Sequence, residues 1–498
     1  MTDTAAPYFT AKHGIAGLDE WELVVGLEVH CELATNTKMF CSCANHFGDE
    51  PNTNVCPVCL GLPGSLPVVN AEAVELAIRI GRALNCDVHS SVFARKNYFY
   101  PDMPKDYQIS QYDRPINADG WLDLADGSRV GITRAHMEED TGKNTHAGAG
   151  GRIHGADYSL IDYNRAGVPL VEIVSEPDIR SPEQAKTYVA ELRTILLAIE
   201  ASDAKMEEGS MRVDANVSMR RLGEDEFGTR CEVKNLNSLR SLGRAIEYEA
   251  RRQVDLIVSG ERIKQQTRHW DEEAGRTRDG RSKEEAEDYR YFQEPDLMPI
   301  EPGQQWVDRV DAAMPKLPAA RRNALAGVAG VDPTTPAVVV AVDRQLDELA
   351  IAAIAAGGDS NRVLTHIEQN LAVDGAGGLS PVNLAELTLM ETNSELTATQ
   401  VKTVLAEMLT SGAAPAAIAA AKGFEAMDTG ALETMVDEVI AAHPAEWADY
   451  VAVAAAGDDK KIKKLVGFFT GKIMQASKGQ ADGKAVNTLL TSKVGAAG

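Results

Sequence analysis

Polar and apolar positions alternate along VVGLEVHCEL, residues 24–33, so that in an extended chain Leu27, Val29, Cys31 and Leu33 share one face and Gly26, Glu28, His30 and Glu32 the other. The period of two returns in MRVDANVSMR (211–220): Met211, Val213, Ala215, Val217 and Met219 lie on one side, Arg212, Asp214, Asn216, Ser218 and Arg220 on the other. In RCEVKNLNS (230–238), Cys231 and Val233 alternate with Arg230, Glu232 and Lys234. These segments predict strands. AEAVELAIRIGRAL (71–84) and SPEQAKTYVAELRTILLAIE (181–200) follow the helical period instead, the second with Ser181 as cap and Pro182 at the first helical position. Strands and helices mixed from about residue 20 to 300 predict an α+β region. The prolines of EPDLMPIEPG (294–303) interrupt both kinds of element and mark a boundary. Beyond it aromatic residues thin out, and Ala, Leu and Glu recur in helix-period runs that predict an all-helical half.

A chain of 498 residues exceeds what one core usually serves, and about three domains are expected. The formal net charge of −24 argues against diffuse binding to polyanions or acidic membranes, so any nucleic-acid contact must be local. The opening residues lack the basic start and apolar stretch of a secretory signal, and no apolar run is long enough to cross a bilayer; a cytoplasmic protein is expected. Seven cysteines in such a chain point to reduced thiols and to metal ligation rather than to a disulfide framework.

Four of them, Cys41, Cys43, Cys56 and Cys59, form C-x-C-x12-C-x2-C. Two close pairs of thiolates converge tetrahedrally on zinc, and four protein ligands leave no open position, so a structural Zn²⁺ is expected in an insertion at 41–59. A single strand with a polar face is usually a solvated sheet face. Several of them, joined by AHMEEDTGKN (135–144) with Glu138, Glu139, Asp140 and Lys143, change that reading. In a shared sheet, Glu28, His30, Glu138, Glu139, Asp214 and Glu232 would supply carboxylates and an imidazole for Mg²⁺ or Mn²⁺, while Arg212, Arg220, Lys143 and Lys234, with Asn216, would meet phosphate. That inventory suits phosphoryl transfer. Glu28 and His30 are expected to hold one metal, with Glu139 and Glu232 completing or bridging a second position. None of the Gly-Lys pairs at 142, 471 and 483 has the glycine spacing of a Walker A loop, GAGGRIHG (148–155) reads as a turn, and no nucleophile elbow or amidase-type Ser-Gly segment is present.

The segments VGLEVHCEL, FGDEPNTNVCPVCLGLPGSLPVVN, HMEEDTGK, YNRAGVPLVEIVSEPD, RVDANVS, EVKNLNS and DYRYFQEPDL, with GKIMQASKGQA (471–481) near the end, closely resemble the B subunits of the glutamyl/aspartyl-tRNA amidotransferases. The resemblance covers most of residues 24–297 and departs from the common pattern at FQEPDLM (292–298) and KGQADG (478–483). It implies an antiparallel-sheet cradle similar to glutamine synthetase, then a helical domain and a tail, over 1–302, 303–427 and 428–498. It implies ATP-dependent activation of the side-chain carboxylate of Glu on Glu-tRNA(Gln) or Asp on Asp-tRNA(Asn). The acyl phosphate so formed is then amidated with ammonia from a glutaminase, the family's A subunit, in a complex that also holds a small C subunit. The tail would hold the tRNA: residues 450–498 carry Lys460, Lys461, Lys463, Lys464, Lys472, Lys478, Lys484 and Lys493 against Asp458, Asp459 and Asp482. Two alternatives are a self-sufficient ligase using free ammonia and a small acid, and a zinc-containing nucleic-acid binding module without catalysis.

Overall fold

The computed structural model describes residues 14–497 apart from 148–155, 281–288, 372, 374, 425–428, 457, 458, 478–480 and 482. The GAGGRIHG segment, expected as a turn, and Asp458, Lys478 and Asp482 therefore lie outside the described residues, as do the side chains of Asp459, Lys460 and Lys484. The chain divides into two compact units, Met1–Ala319 and Ala320–Gly498.

In the first unit the strands are β1 (Trp21–Glu32), β2 (Asp87–Val88), β3 (Ala94–Asn97), β4 (Tyr107–Ser110), β5 (Asn117–Asp123), β6 (Arg129–Glu139), β7 (Lys143–Ala147), β8 (Tyr158–Asp162), β9 (Pro169–Ser175), β10 (Met211–Arg221), β11 (Cys231–Leu236), β12 (Thr267–Asp271), β13 (Arg276–Asp279) and β14 (Phe292–Gln293). Twelve form one sheet, ordered β13-β12-β11-β10-β1-β9-β6-β4-β3-β14, with β5 beside β6 and β2 beside β5; β7 and β8 make a separate hairpin. The strand predicted over 135–144 thus ends at Glu139, and Lys143 starts another element. Pairing is antiparallel except between β11 and β12, which are parallel. The exception has a topological cause: the helix Leu239–Val258 joins those two strands, and only a crossover of that length returns the chain in the same direction.

The apolar faces of β1 and β10 behave as their alternation predicts, with Leu27, Val29, Cys31, Val213, Ala215 and Val217 all buried. They pack in one core with helices α1 (Ala71–Ala83), α2 (Pro182–Ala198) and α3 (Leu239–Val258). Ser181 caps α2, its hydroxyl accepting from the Gln184 N–H, and Pro182 opens the helix. One glycine in α1 is fixed by close approach. A Cβ on Gly81 would sit 2.0 Å from Asn117 Oδ1, and the Asn117 amide donates to the carbonyls of Ala77 (2.9 Å) and Ala135 (3.0 Å), tying α1 to the sheet.

Helix α4 (Gln304–Ala313) belongs to the first unit, because Val307 and Val310 enter its core and Asp311 accepts from Arg82 at 2.8 Å. The first unit consequently runs past the boundary expected at 302. The second unit is helical, with one hydrophobic cluster drawn from Leu325 to Ala419 and another from Leu432 to Val494. Among the described residues no single helix is long and apolar enough to cross a membrane.

Candidate active site

While helices cover one face of the sheet, the other forms the floor of a cleft of about 900 Å³ lined by Glu28, His30, Lys96, His136, Glu138, Glu172, Glu232 and Lys234, among others. Cross-strand register assembles it, since partners directly opposite in an antiparallel pair share a face. His30 on β1 lies opposite Glu172 on β9, which lies opposite His136 on β6; Glu28 lies opposite Asp214 on β10.

Two groups of three result: His30 with Glu138 and Glu172, and Glu28 with Asp214 and Glu232. In each, the ligand-type atoms lie within 4.8 Å of one another. His30 Nε2 is 3.6 Å from Glu172 Oε2 and 3.8 Å from Glu138 Oε1, while His136 Nε2 is 3.6 Å from Glu172. In the second group Lys234 Nζ stands 2.6 Å from Asp214 Oδ2 and 3.2 Å from Glu232 Oε1. Asn216 Nδ2 donates to Glu28 Oε1 at 2.9 Å, and the Thr267 hydroxyl donates to Glu232 Oε2 at 2.8 Å. A small divalent cation with oxygen ligands at about 2.1 Å holds opposite ligands about 4.2 Å apart, so each group is of the right chemistry and span for one.

Burial disfavours charge on His30, but the bond and charge of Glu172, with Glu138 and Asp214 behind, outweigh it and raise its pKa to about 9. His136 goes the other way. Burial, only partly opposed by Glu172 and reinforced by Arg134, His30 and Lys96, lowers it to about 4. Burial and the neighbouring Glu172 push the Glu138 carboxyl up. Glu172 resists its own burial through His136, His30 and Lys96 and is held well below the usual carboxylate range. Lys96 is likewise kept charged against burial by Glu138 and Glu172.

Of the residues selected from sequence, Glu28, His30, Glu138, Asp214, Asn216, Glu232 and Lys234 come together in this arrangement, but Glu28 and His30 stand in different groups rather than on one metal. Glu139 is not brought to it. One residue along the strand from Glu138 it faces away, where it accepts from the Lys105 ammonium and the Ile109 N–H (2.9 Å). Arg212 is committed to Asp140 at 2.6 Å, and Arg220 to Glu22 and the Asp225 carbonyl, so neither guanidinium is free for phosphate. Lys143 sits exposed on the separate β7–β8 hairpin. Nor is the acidic face solvated: Glu138 and Glu232 are only 4% and 6% exposed. Glu172, His136 and Lys96 escaped the sequence reading, although alternation in PLVEIVS and RAHME carries the signal for the first two.

The four cysteines converge in a second cluster, their Sγ atoms within 4.8 Å of one another and those of Cys56 and Cys59 3.9 Å apart. Tetrahedral ligands at a Zn–S distance of about 2.3 Å stand roughly 3.8 Å apart, so the cluster is compatible with zinc. Hydrogen bonding from Cys41, with the Cys56 N–H and Lys38 assisting, lowers the Cys59 thiol to about 5, whereas Cys41 is pushed up. Lys38 is fully buried and donates to the carbonyls of Asn54 (2.7 Å) and Tyr163 (3.2 Å), binding the cysteine loop to the sheet unit.

Fold and cleft define a class: an α+β protein that gathers carboxylates, imidazoles and ammonium groups on one open sheet face. Comparison with known proteins narrows it. The model for the GatB/GatE catalytic domain matches residues 23–308, and that for the GatB domain residues 361–494. The B subunit of the aspartyl/glutamyl-tRNA(Asn/Gln) amidotransferase of Frankia casuarinae is 49% identical over 96% of this chain and 96% of its own length. The B subunits of the same name from Salinispora arenicola and Carboxydothermus hydrogenoformans are 48% and 45% identical, over 96% and 95% of this chain and 97% and 99% of theirs. The chain belongs to the family of aspartyl/glutamyl-tRNA(Asn/Gln) amidotransferase B subunits.

Proposed function

We propose that the cleft of the first unit is where ATP activates the side-chain carboxylate of Glu or Asp carried on tRNA(Gln) or tRNA(Asn), and where ammonia then converts it to the amide. The observation that carries this reading is the pair of three-residue groups on one sheet face, with Lys96 and Lys234 beside them. A carboxylate oxygen of the substrate attacks the γ-phosphorus of ATP and ADP departs; ammonia then attacks the acyl carbon, and phosphate leaves as hydrogen phosphate, carrying the proton that the nitrogen loses. His30, on releasing its proton, would with Glu138 and Glu172 hold one Mg²⁺ or Mn²⁺, and Glu28, Asp214 and Glu232 a second, which when bound would neutralise the phosphates and polarise the transferred group. The chain's own cations do related work. Among the described residues no carboxylate lies at ion-pair distance from Lys96, which leaves its ammonium for a phosphate oxygen, while Lys234 holds Asp214 and Glu232 in place. Asn216 orients Glu28.

The chain works in the cytoplasm with two partners, a glutaminase (the A subunit) that supplies the ammonia and a smaller C subunit; the cysteine cluster holds a structural Zn²⁺. The reading is tested with the purified complex, ATP, ammonium and each mischarged tRNA. ADP should appear only when a mischarged tRNA is present. ATP cleavage indifferent to tRNA would favour a self-sufficient ligase instead.

The tRNA body is held by the last segment, where Lys461, Lys463 and Lys464 lie exposed on helix Asp459–Ala476 while Phe469 and Ile473 are buried. Lys493 in the same segment pairs with Asp437 at 2.7 Å. Replacing the three exposed lysines by glutamine should weaken tRNA binding and flatten its logarithmic salt slope by about 2 to 3, at roughly 0.7–0.9 per phosphate contact. Unchanged slope in a filter-binding titration would assign these lysines to solvation alone.

A further inference from the structure

Beyond the His30 group the cleft is lined by tyrosines, among them Tyr112 and Tyr291. These two are stacked, with centroids 4.1 Å apart and planes inclined by 7°, and Tyr289 meets Tyr291 edge-on at 6.0 Å. Tyr112 remains 49% exposed. An aromatic pair so fixed, one member of it half-exposed and lining a cleft, offers a rigid apolar plane to a flat ligand.

Next to it in sequence, Gln111 is almost wholly buried and also lines the cleft. Its Oε1 accepts from the backbone N–H groups of Ile116 (3.2 Å) and Met137 (3.0 Å), which fixes the amide orientation. Its Nε2 then has no partner among the described residues. A buried donor without an acceptor is costly, so this one points to an acceptor on a ligand. Lys96 Nζ lies 4.8 Å from the centre of the Tyr289 ring and is near enough to Glu138 and Glu172 to feel their charge. Aromatic surface, ammonium and carboxylate group thus adjoin one another in the order of base, phosphate and cation in a bound nucleotide.

We propose that Tyr112 and Tyr291 form a nucleobase-stacking platform in this cleft, with the Gln111 amide donating to a ring nitrogen of the base. The inference rests on the reading of the cleft as an ATP and aminoacyl-tRNA site. It names the part of the cleft that takes a base, which belongs either to ATP or to the 3′ end of the tRNA. Stacking is indifferent to that choice, and experiment separates the two.

The test uses the full chain in its complex and compares wild type with Tyr112→Ala and Tyr112→Phe. Equilibrium binding is measured for ATP, for aminoacyl-tRNA and for inorganic tripolyphosphate, which has phosphates but no base. Tyr112→Ala should weaken one of the two nucleotide ligands on the order of ten-fold, the usual scale of a lost base–aromatic stack, while tripolyphosphate binds as before. Tyr112→Phe, which keeps the ring, should bind like wild type. Loss confined to ATP assigns the platform to its adenine, and loss confined to aminoacyl-tRNA assigns it to the terminal base. Unaltered binding of both, or a parallel loss for tripolyphosphate, overturns the platform. Failure of the wild-type complex to turn over ATP would count against the reading of the cleft, and the binding comparison would still decide the platform.

Discussion

Glu172→Ala is expected to lower ATP-dependent amidation by on the order of a thousand-fold or more, since several kcal/mol of charge stabilisation at a metal-assisted site corresponds to a factor of ten per 1.4 kcal/mol. The carboxylate lies 3.6 Å from each of two imidazoles and is one member of the three-residue group with His30 and Glu138. Its loss should weaken divalent-ion binding; for the fold, the lost attraction to His30 and Lys96 is offset in part by relief of the repulsion between Glu172 and Glu138. The neighbouring acid supplies the contrast. Glu139→Ala would leave the Lys105 ammonium, 7% exposed, without its partner, and breaking a buried pair costs about 3–5 kcal/mol. Thermal denaturation and steady-state kinetics on the two variants should therefore diverge, Glu172→Ala losing activity far more than stability, Glu139→Ala markedly less stable. Near-normal amidation by Glu172→Ala at saturating Mg²⁺ would remove the His30 group from the site.

Removal of zinc should produce the second large effect, this one on stability. Protein purified without chelators is expected to hold about one zinc per chain. Binding favours the folded loops over the open chain, so the energy of that bond is folding energy; isolated zinc-finger peptides gain about 10–16 kcal/mol in apparent terms. Here the gain should be smaller, because Lys38 and the backbone bonds of Met39 to Gly167 (2.8 Å) and of Val68 to Phe40 (3.0 Å) already anchor the cysteine loop. Cys56→Ser or a strong chelator should lower the melting temperature and open residues 41–68 to proteolysis. A metal-free protein that melts like the wild type, its four thiols titrating freely, would refute the zinc site.

Sequence alone determined β1, β10 and β11, three of the strands that carry the site, and the faces they present. A period of two is a property of the extended chain, so Glu28 and His30 had to share a side with each other and Asp214 with Arg212 once Leu27, Val29 and Val213 went to the core. The cysteine spacing determined the thiol cluster for a similar reason, since short intervals keep close pairs together. Which strands become neighbours, and in what register, depends on contacts far apart in the chain. Glu172 joined His30 only because β9 pairs with β1 over a separation that no local pattern encodes. Adjacency in sequence misled for the converse reason: the pleat sends Glu138 and Glu139 to opposite faces, one into the cleft and one to Lys105. Arg212 and Arg220 looked free as phosphate binders until tertiary packing supplied Asp140 and Glu22, because a buried guanidinium takes the nearest carboxylate. Local periodicity thus settled which side chains face the cleft side of their strands, and the long-range pairing of the sheet settled which of them meet.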